Sequence, residues 1–171
     1  MRKTNLIFAL LLSLMGVTQI SAQQALPYEY GFEESSPTGW TLTSCHSNSN
    51  NYQSGTSGSY NGNYVFRFYW NTNPPQYLIT PELAASSNTI NVSFWYKAYG
   101  SNYEESFKVG YSTTDNQTTS FTWEDEVKTN STAWTEYNTT FPAGTKYVCI
   151  AYTANDKYYL YIDDFKVEEN V

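Results

Sequence analysis

Apolar and polar residues alternate with period two along much of this chain, most clearly over residues 89–99. Ile90, Val92, Phe94, Tyr96 and Ala98 share one parity, while Asn91, Ser93, Trp95, Lys97 and Tyr99 share the other. The same reading predicts strands over 26–34, 40–43, 64–70, 76–83, 105–113, 134–141, 146–153 and 159–167. Pro81 pushes the end of 76–83 toward a sheet edge, because proline cannot donate to a ladder. Residues 121–127 read equally well as a short strand or a helical turn. Residues 44–63 are rich in Ser, Asn and Gly and read as a long surface loop, with His46 as a solvated residue within it. No stretch carries a helical period. Eight or nine short strands without βα alternation imply an all-β, antiparallel two-sheet sandwich.

The last strand breaks its own rhythm. Leu160 and Ile162 share one face, but Phe165 and Val167 fall on the opposite parity. One extra residue, a β-bulge at Asp163-Asp164, restores the phase. Two adjacent acids displaced from the ladder need a cation, solvent or hydrogen-bond donors. The opening segment also ends in acids, Glu33 and Glu34. If the first and last strands are neighbours, Glu33, Asp163 and Asp164 form an oxygen-rich set suited to a structural calcium ion. The competing reading has these acids solvated, or bonded to loop amides.

Composition narrows the class. Residues 1–22 resemble a signal peptide: Arg2 and Lys3 precede a Leu-rich run, and Ile20-Ser21-Ala22 makes a small-residue exit. The expected mature domain is 23–171, exported to a secreted, cell-surface or periplasmic location and not inserted in a membrane. Its formal charge of −7 becomes more negative once Arg2 and Lys3 leave, which argues against nucleic acid as a partner. With 17 tyrosines against 9 basic residues, the chain has the look of an exported β-protein. Cys45 and Cys149 are compatible either with a bridge or with free thiols, since spacing alone does not establish proximity.

Two further groups bear on function. Tyr69, Trp70, Trp95, Tyr99, Tyr103 and Trp123 sit at strand ends or on polar parity, where flat rings stack on sugars or anchor a protein partner. The alternative is that such rings pack against loops. Glu104-Glu105 and Glu124-Asp125-Glu126 offer carboxylate pairs of the kind glycosidases use, yet acid runs beside turns are usually solvated. With one histidine in the chain, no Ser-His-Asp set presents itself, and the domain is read as non-catalytic.

The ordered landmarks resemble a known family. Leu26-Pro27-Tyr28, Phe32-Glu33, Gly39-Trp40, Tyr77-Leu78-Ile79-Thr80-Pro81, Phe94-Trp95-Tyr96, Trp134, Pro142-Ala143-Gly144 and Ile162-Asp163-Asp164 follow the order of the cleaved-adhesin (gingipain adhesin) domains of Bacteroidetes. The related MAM domains share the Phe-Glu, Gly-Trp, Phe-Trp-Tyr and Asp-Asp landmarks. The resemblance spans about residues 26–168. It implies a jelly-roll sandwich with calcium near the junction of first and last strands, acting as an adhesion module for a glycan or host protein. The Asp-rich segment that family members carry after Gly-Trp is absent; Ser47-Asn48-Ser49-Asn50-Asn51 stands in its place. The expected function is a secreted, calcium-stabilised, non-catalytic module recognising a glycan or host glycoprotein. The alternatives are a structural subunit of a surface assembly and a jelly-roll glycosidase.

Overall fold

Strand β12, Tyr159–Glu169, is central to the computed structural model, which describes residues 22–53 and 58–171. The predicted leader, apart from Ala22, lies outside the described residues. The other strands are β1 Tyr28–Tyr30, β2 Thr41–Thr43, β3 Asn50–Gln53, β4 Tyr64–Tyr69, β5 Gln76–Ile79 and β6 Ile90–Ala98. They are followed by β7 Glu105–Ser112, β8 Thr122–Trp123, β9 Val127–Thr129, β10 Thr135–Phe141 and β11 Tyr147–Tyr152. Among the described residues the only helical turn is a short 3-10 segment, Thr118–Ser120.

The strands form two antiparallel sheets in a jelly-roll sandwich. The first is ordered β10-β6-β12-β4-β3, with β1 also paired to β12; the second is β2-β5-β11-β7-β8, with β9 also paired to β7. The bulge read from the sequence is present, and it does more than restore phase. Tyr159–Ile162 of β12 pair with β4, whereas Phe165, Lys166 and Val167 pair with β1. The register against β6 shifts between Asp163 and Lys166, and Asp164 takes a left-handed φ of 45°. The last strand therefore changes one neighbour at the bulge while keeping the other. First and last strands do lie side by side.

The core fills the space between the sheets. Phe66, Phe68, Phe94, Leu160, Ile162 and Phe165 face inward from the first sheet, and Leu78, Phe107, Val109, Val148 and Ile150 from the second. Trp40 and Phe32 close one end, with Phe32 buried at φ 57° and its ring 5.4 Å from Trp40. A non-glycine residue in this region carries local strain, and full burial of its ring is what offsets it.

Several local readings need correction. The 44–63 segment is not one solvated loop: β3 pairs with β4, and Ser49 and Asn51 are buried. Its polar residues go inside because Gln76, itself buried, accepts from Ser49 Oγ at 2.8 Å and from the His46 amide at 2.8 Å, and donates to the Tyr69 carbonyl at 2.7 Å. His46 stacks on Tyr69, ring centroids 4.6 Å apart, rather than standing in solvent. Pro81 does not mark an edge, since β5 lies between β2 and β11 and stops before Thr80. Residues 121–127 resolve into β8 and the start of β9. The two thiols are free: Cys45 packs against the main core, and Cys149 belongs to a second cluster with Ile79 and Phe121.

That second cluster covers the outer face of the second sheet, and Trp123 closes it. Trp123 pairs with Gly110 across the β7–β8 ladder, so close that a Cβ there would lie 2.6 Å from the indole. Gly110→Ala should therefore destabilise the fold by about 1–3 kcal/mol, the usual cost of overpacking. For a domain of this size that lowers the melting temperature by several degrees. An unchanged melt in calorimetry would show that the indole moves aside freely.

Candidate functional site

The bulge organises one side of the molecule because its two carboxylates leave the ladder in different ways. Asp163 is fully buried. Its Oδ2 accepts from the amides of Tyr60 at 2.8 Å and Asn61 at 3.2 Å, and its Oδ1 from the Asp164 amide at 2.8 Å. Burial pushes its pKa up to about 7, against the pull of those amides. Asp164 is half-buried, and its pKa is raised by desolvation and then by Glu33 and Glu29 nearby. Glu33, exposed, accepts from the amides of Asn63 at 2.8 Å and Tyr64 at 3.1 Å. Gly62, at φ 61°, lies so close to Glu33 that a Cβ would collide with the carboxylate. The segment 58–64 is thus held from both sides, by Glu33 just after β1 and by Asp163 of β12.

Among the described residues no group of three or more His, Cys, Asp or Glu side chains is placed to hold a metal ion. Asp163 and Glu33 are occupied by backbone donors, which is the alternative the sequence left open. Asp163 is buried beneath the 58–64 segment and has both oxygens engaged.

What the pinned segment carries is aromatic. Tyr60 lies flat on Trp95, centroids 3.9 Å apart at 12°, and meets Trp134 edge-on at 6.1 Å. Trp95 is on the outward parity of β6 and opposite Asp163. Further along the same face Tyr69 stacks near Tyr159 at 4.8 Å, and His46 links Tyr69 to Trp70. Tyr158 lies 4.7 Å from Tyr99 and 5.2 Å from Tyr103. Tyr99 and Tyr103 remain 54% and 42% exposed, so their rings are open to a partner.

Glu105 fixes this tyrosine cluster from below. It is fully buried, accepting from Tyr152 Oη at 2.6 Å and from the Tyr158 amide at 2.8 Å. The expected solvated pair Glu104-Glu105 is thereby corrected: Glu104 meets Lys128 at the surface at 3.5 Å, and Glu105 is interior. A cavity of about 410 Å³ opens at the other end of the face, between Glu29, Trp95, Glu136, Asp164 and Lys166.

Five of the six aromatic candidates, Tyr69, Trp70, Trp95, Tyr99 and Tyr103, thus belong to or border the outer face of the first sheet, while Trp123 serves the opposite sheet. The sequence reading missed Tyr52, Tyr60, Trp134, Tyr158, Tyr159 and Tyr161 on this face, and it gave no role to Arg67 and Lys97. Outward parity on β4 and β12 was the available signal for Arg67, Tyr159 and Tyr161.

The profile of the MAM domain, meprin/A5/mu, matches residues 29–170. This chain belongs to the MAM domain family. The sequence matches no curated protein. Among solved structures, this MAM domain is similar to the K1 cleaved adhesin domain of Lys-gingipain from Porphyromonas gingivalis W83. That match has a TM-score of 0.73 and 24% identity, and covers 84% of this chain and 98% of the adhesin domain. TmCBM61, solved in complex with β-1,4-galactotriose, aligns with a TM-score of 0.62 at 18% identity, over 82% of this chain and 94% of the other. The CBM22-1 xylan-binding domain of Paenibacillus barcinonensis Xyn10C gives 0.60 at 13%, over 87% and 97%. The resemblance read from the landmarks, and the jelly-roll fold it implied, are both borne out.

The buried acids make stability depend on pH in a defined direction. An unfolded Asp releases its proton near pH 4, whereas folded Asp163 keeps its own to about pH 7. Across that window the native state binds more protons, so stability declines as pH rises and levels off above it. Glu105 is shifted upward by burial too and adds the same sign. The melting temperature should fall between pH 4.5 and 7.5, with a shallower slope in Asp163→Asn. A melting temperature that climbs over this range would contradict the assignment.

Proposed function

We propose that this MAM domain is a non-catalytic binding module that is exported and recognises a glycan or glycoprotein through the outer face of its first sheet. The observation that carries the reading is the gathering of rings there: Tyr60 on Trp95, Tyr69 with Tyr159, and the open Tyr99–Tyr158–Tyr103 cluster. Tyrosine suits such a surface, because its ring stacks on the apolar face of a sugar while its hydroxyl remains hydrated. Buried acids beneath the face hold two of its ring-bearing segments, which limits the entropy lost on binding. The modules solved with β-1,4-galactotriose and described as xylan-binding share the fold and lend support to a sugar ligand. Against catalysis, Glu105 is buried while Glu104 is at the surface, so the two do not present a pair of carboxylates to a bound chain.

Truncating a central ring anchor costs at least about 2 kcal/mol in binding, whereas loss of an idle surface tyrosine costs almost nothing. Tyr99→Ala combined with Tyr103→Ala should abolish retention on the glycans that the wild-type chain selects from an array, with an unchanged circular-dichroism spectrum and melt. Undiminished binding by this folded double variant would remove the cluster from the site.

The proposal extends to a structural calcium ion held by Asp164 and Glu33, with Asp163 positioning the 58–64 segment beside them. The fit to these residues is partial. Asp164 is crowded by Glu33 and Glu29, which a cation would relieve, and Gly31 lies beside its carboxylate, where a Cβ would stand 3.5 Å from Oδ1. Against this, the Glu33 oxygens already accept two amides, and six to eight oxygen ligands are the norm for calcium. Extracellular calcium modules have dissociation constants of about 0.1–1 mM. A tenfold excess over that constant would stabilise folding by roughly 1.4 kcal/mol. Chelation should lower the melting temperature by a few degrees in the wild type and not in Asp164→Ala; identical melts with calcium and with chelator would eliminate the ion.

A further inference from the structure

The protein is strongly acidic, yet the centre of its aromatic face is cationic. Arg67 of β4 and Lys97 of β6 both pair with Tyr161 of β12, so they stand abreast on either side of it. Two strand spacings separate them, roughly 10 Å between backbones. The Arg67 guanidinium lies 4.1 Å from the Tyr52 ring centre, 5.0 Å from Tyr159 and 5.4 Å from Tyr69. The Lys97 ammonium lies 4.7 Å from Trp134 and 5.7 Å from Tyr161.

Neither cation has a carboxylate within ion-pair distance among the described residues, although Lys128, Lys146 and Lys166 all do. Arg67 Nε is buried with no hydrogen-bond partner, and the contact of Nη2 with the Asn48 carbonyl is long, 3.4 Å. Arginine carries five N–H donors in a rigid fork, and leaving a buried one unpaired costs stability. The acid that bears most directly on Lys97 is Asp163, whose oxygens are already engaged by three backbone amides. Two cations walled by rings, neither in ion-pair contact with a carboxylate and one with an unpaired N–H, form a site suited to an anion.

Resting on the glycan-binding reading above, we infer that the ligand is an acidic glycan, its anionic substituent seated between Arg67 and Lys97 and its sugar rings on the surrounding aromatics. A guanidinium fork matches the paired oxygens of a carboxylate or a sulfate ester, while the ammonium acts as a second, more adaptable point charge. The net charge of −7 does not oppose this at short range. At physiological salt the screening length is about 8 Å, so distant acids weigh little against two adjacent cations. Three acids that share the face, Glu29, Glu136 and Asp164, line the cavity beyond Trp95, where only Glu29 meets a cation, Lys166, among the described residues. They repel an anion at that end and so orient the chain.

The test is calorimetric titration of the full secreted chain with three kinds of oligosaccharide: oligogalacturonides carrying carboxylates, κ-carrageenan oligomers carrying sulfate esters and no carboxylate, and neutral galactan and xylan oligomers. At least one acidic class should bind ten times more tightly than the neutral ones, a difference of about 1.4 kcal/mol. That advantage should shrink as sodium chloride rises from 50 to 500 mM. Binding confined to the uronate arm names a carboxylate, and binding confined to the sulfated arm names a sulfate; either supports the inference. Arg67→Met and Lys97→Gln should each remove most of the acidic preference. If Arg67→Met loses its cooperative melt, Lys97→Gln carries the test alone. Neutral chains bound as well as acidic ones, or an unaffected preference in Lys97→Gln, overturn this inference and leave the glycan module standing. No binding to any class removes both.

Discussion

A single buried carboxylate, Asp163, ties the last strand to the segment that crosses its outer face. The bulge that follows it lets β12 pair with β4 on one side of the break and with β1 on the other. Without that break, Phe165 and Val167 would face solvent, since a slip of one residue inverts every side chain that follows. With it, both halves of the strand contribute to one core, and the displaced carboxylate finds three backbone donors. The same residue thereby joins closure of the first sheet to placement of Tyr60 over Trp95.

The second sheet supplies a matching device. Glu105 begins β7, is buried beneath Tyr152, and accepts the amide of Tyr158 just ahead of β12. Both acids use the cost of burying a carboxylate to fix a segment that local propensity would leave loose. A buried acceptor without its donors is expensive, so each segment has one favoured position. The aromatic rings borne by those segments inherit that order, which is what a rigid recognition surface requires.

How much of this could be read from the chain follows from what alternation records. β6 was legible because five inward and four outward positions keep strict parity, and the bulge was legible because β12 does not. β3 was not: its one buried residue is Asn51, and the neighbouring interior contacts run through Ser49 and Gln76, which a parity reading scores as polar and therefore outside. Glu105 was misplaced for the same reason. The candidate rings were found where outward parity or a strand end exposed them, but Trp123 was grouped wrongly, because which of two sheets a strand joins is not encoded in its period. Arg67 and Lys97 went unremarked because composition pointed to a uniformly acidic surface, and only the register across β4, β12 and β6 places them together.

A domain with 17 tyrosines resolves a difficulty inherent in a sandwich of this size. The outer face of a sheet must be wet enough to prevent association, yet a recognition surface needs broad, stiff contact area. Tyrosine meets both demands, with an apolar ring of few rotamers and a hydroxyl that stays hydrated. Interleaving such rings with cations holds Arg67 and Lys97 in place against the ring faces. The outer face can then vary its chemistry ring by ring, whereas β12 beneath it cannot, because a change at the bulge disturbs the core, the first strand and the pinned segment together.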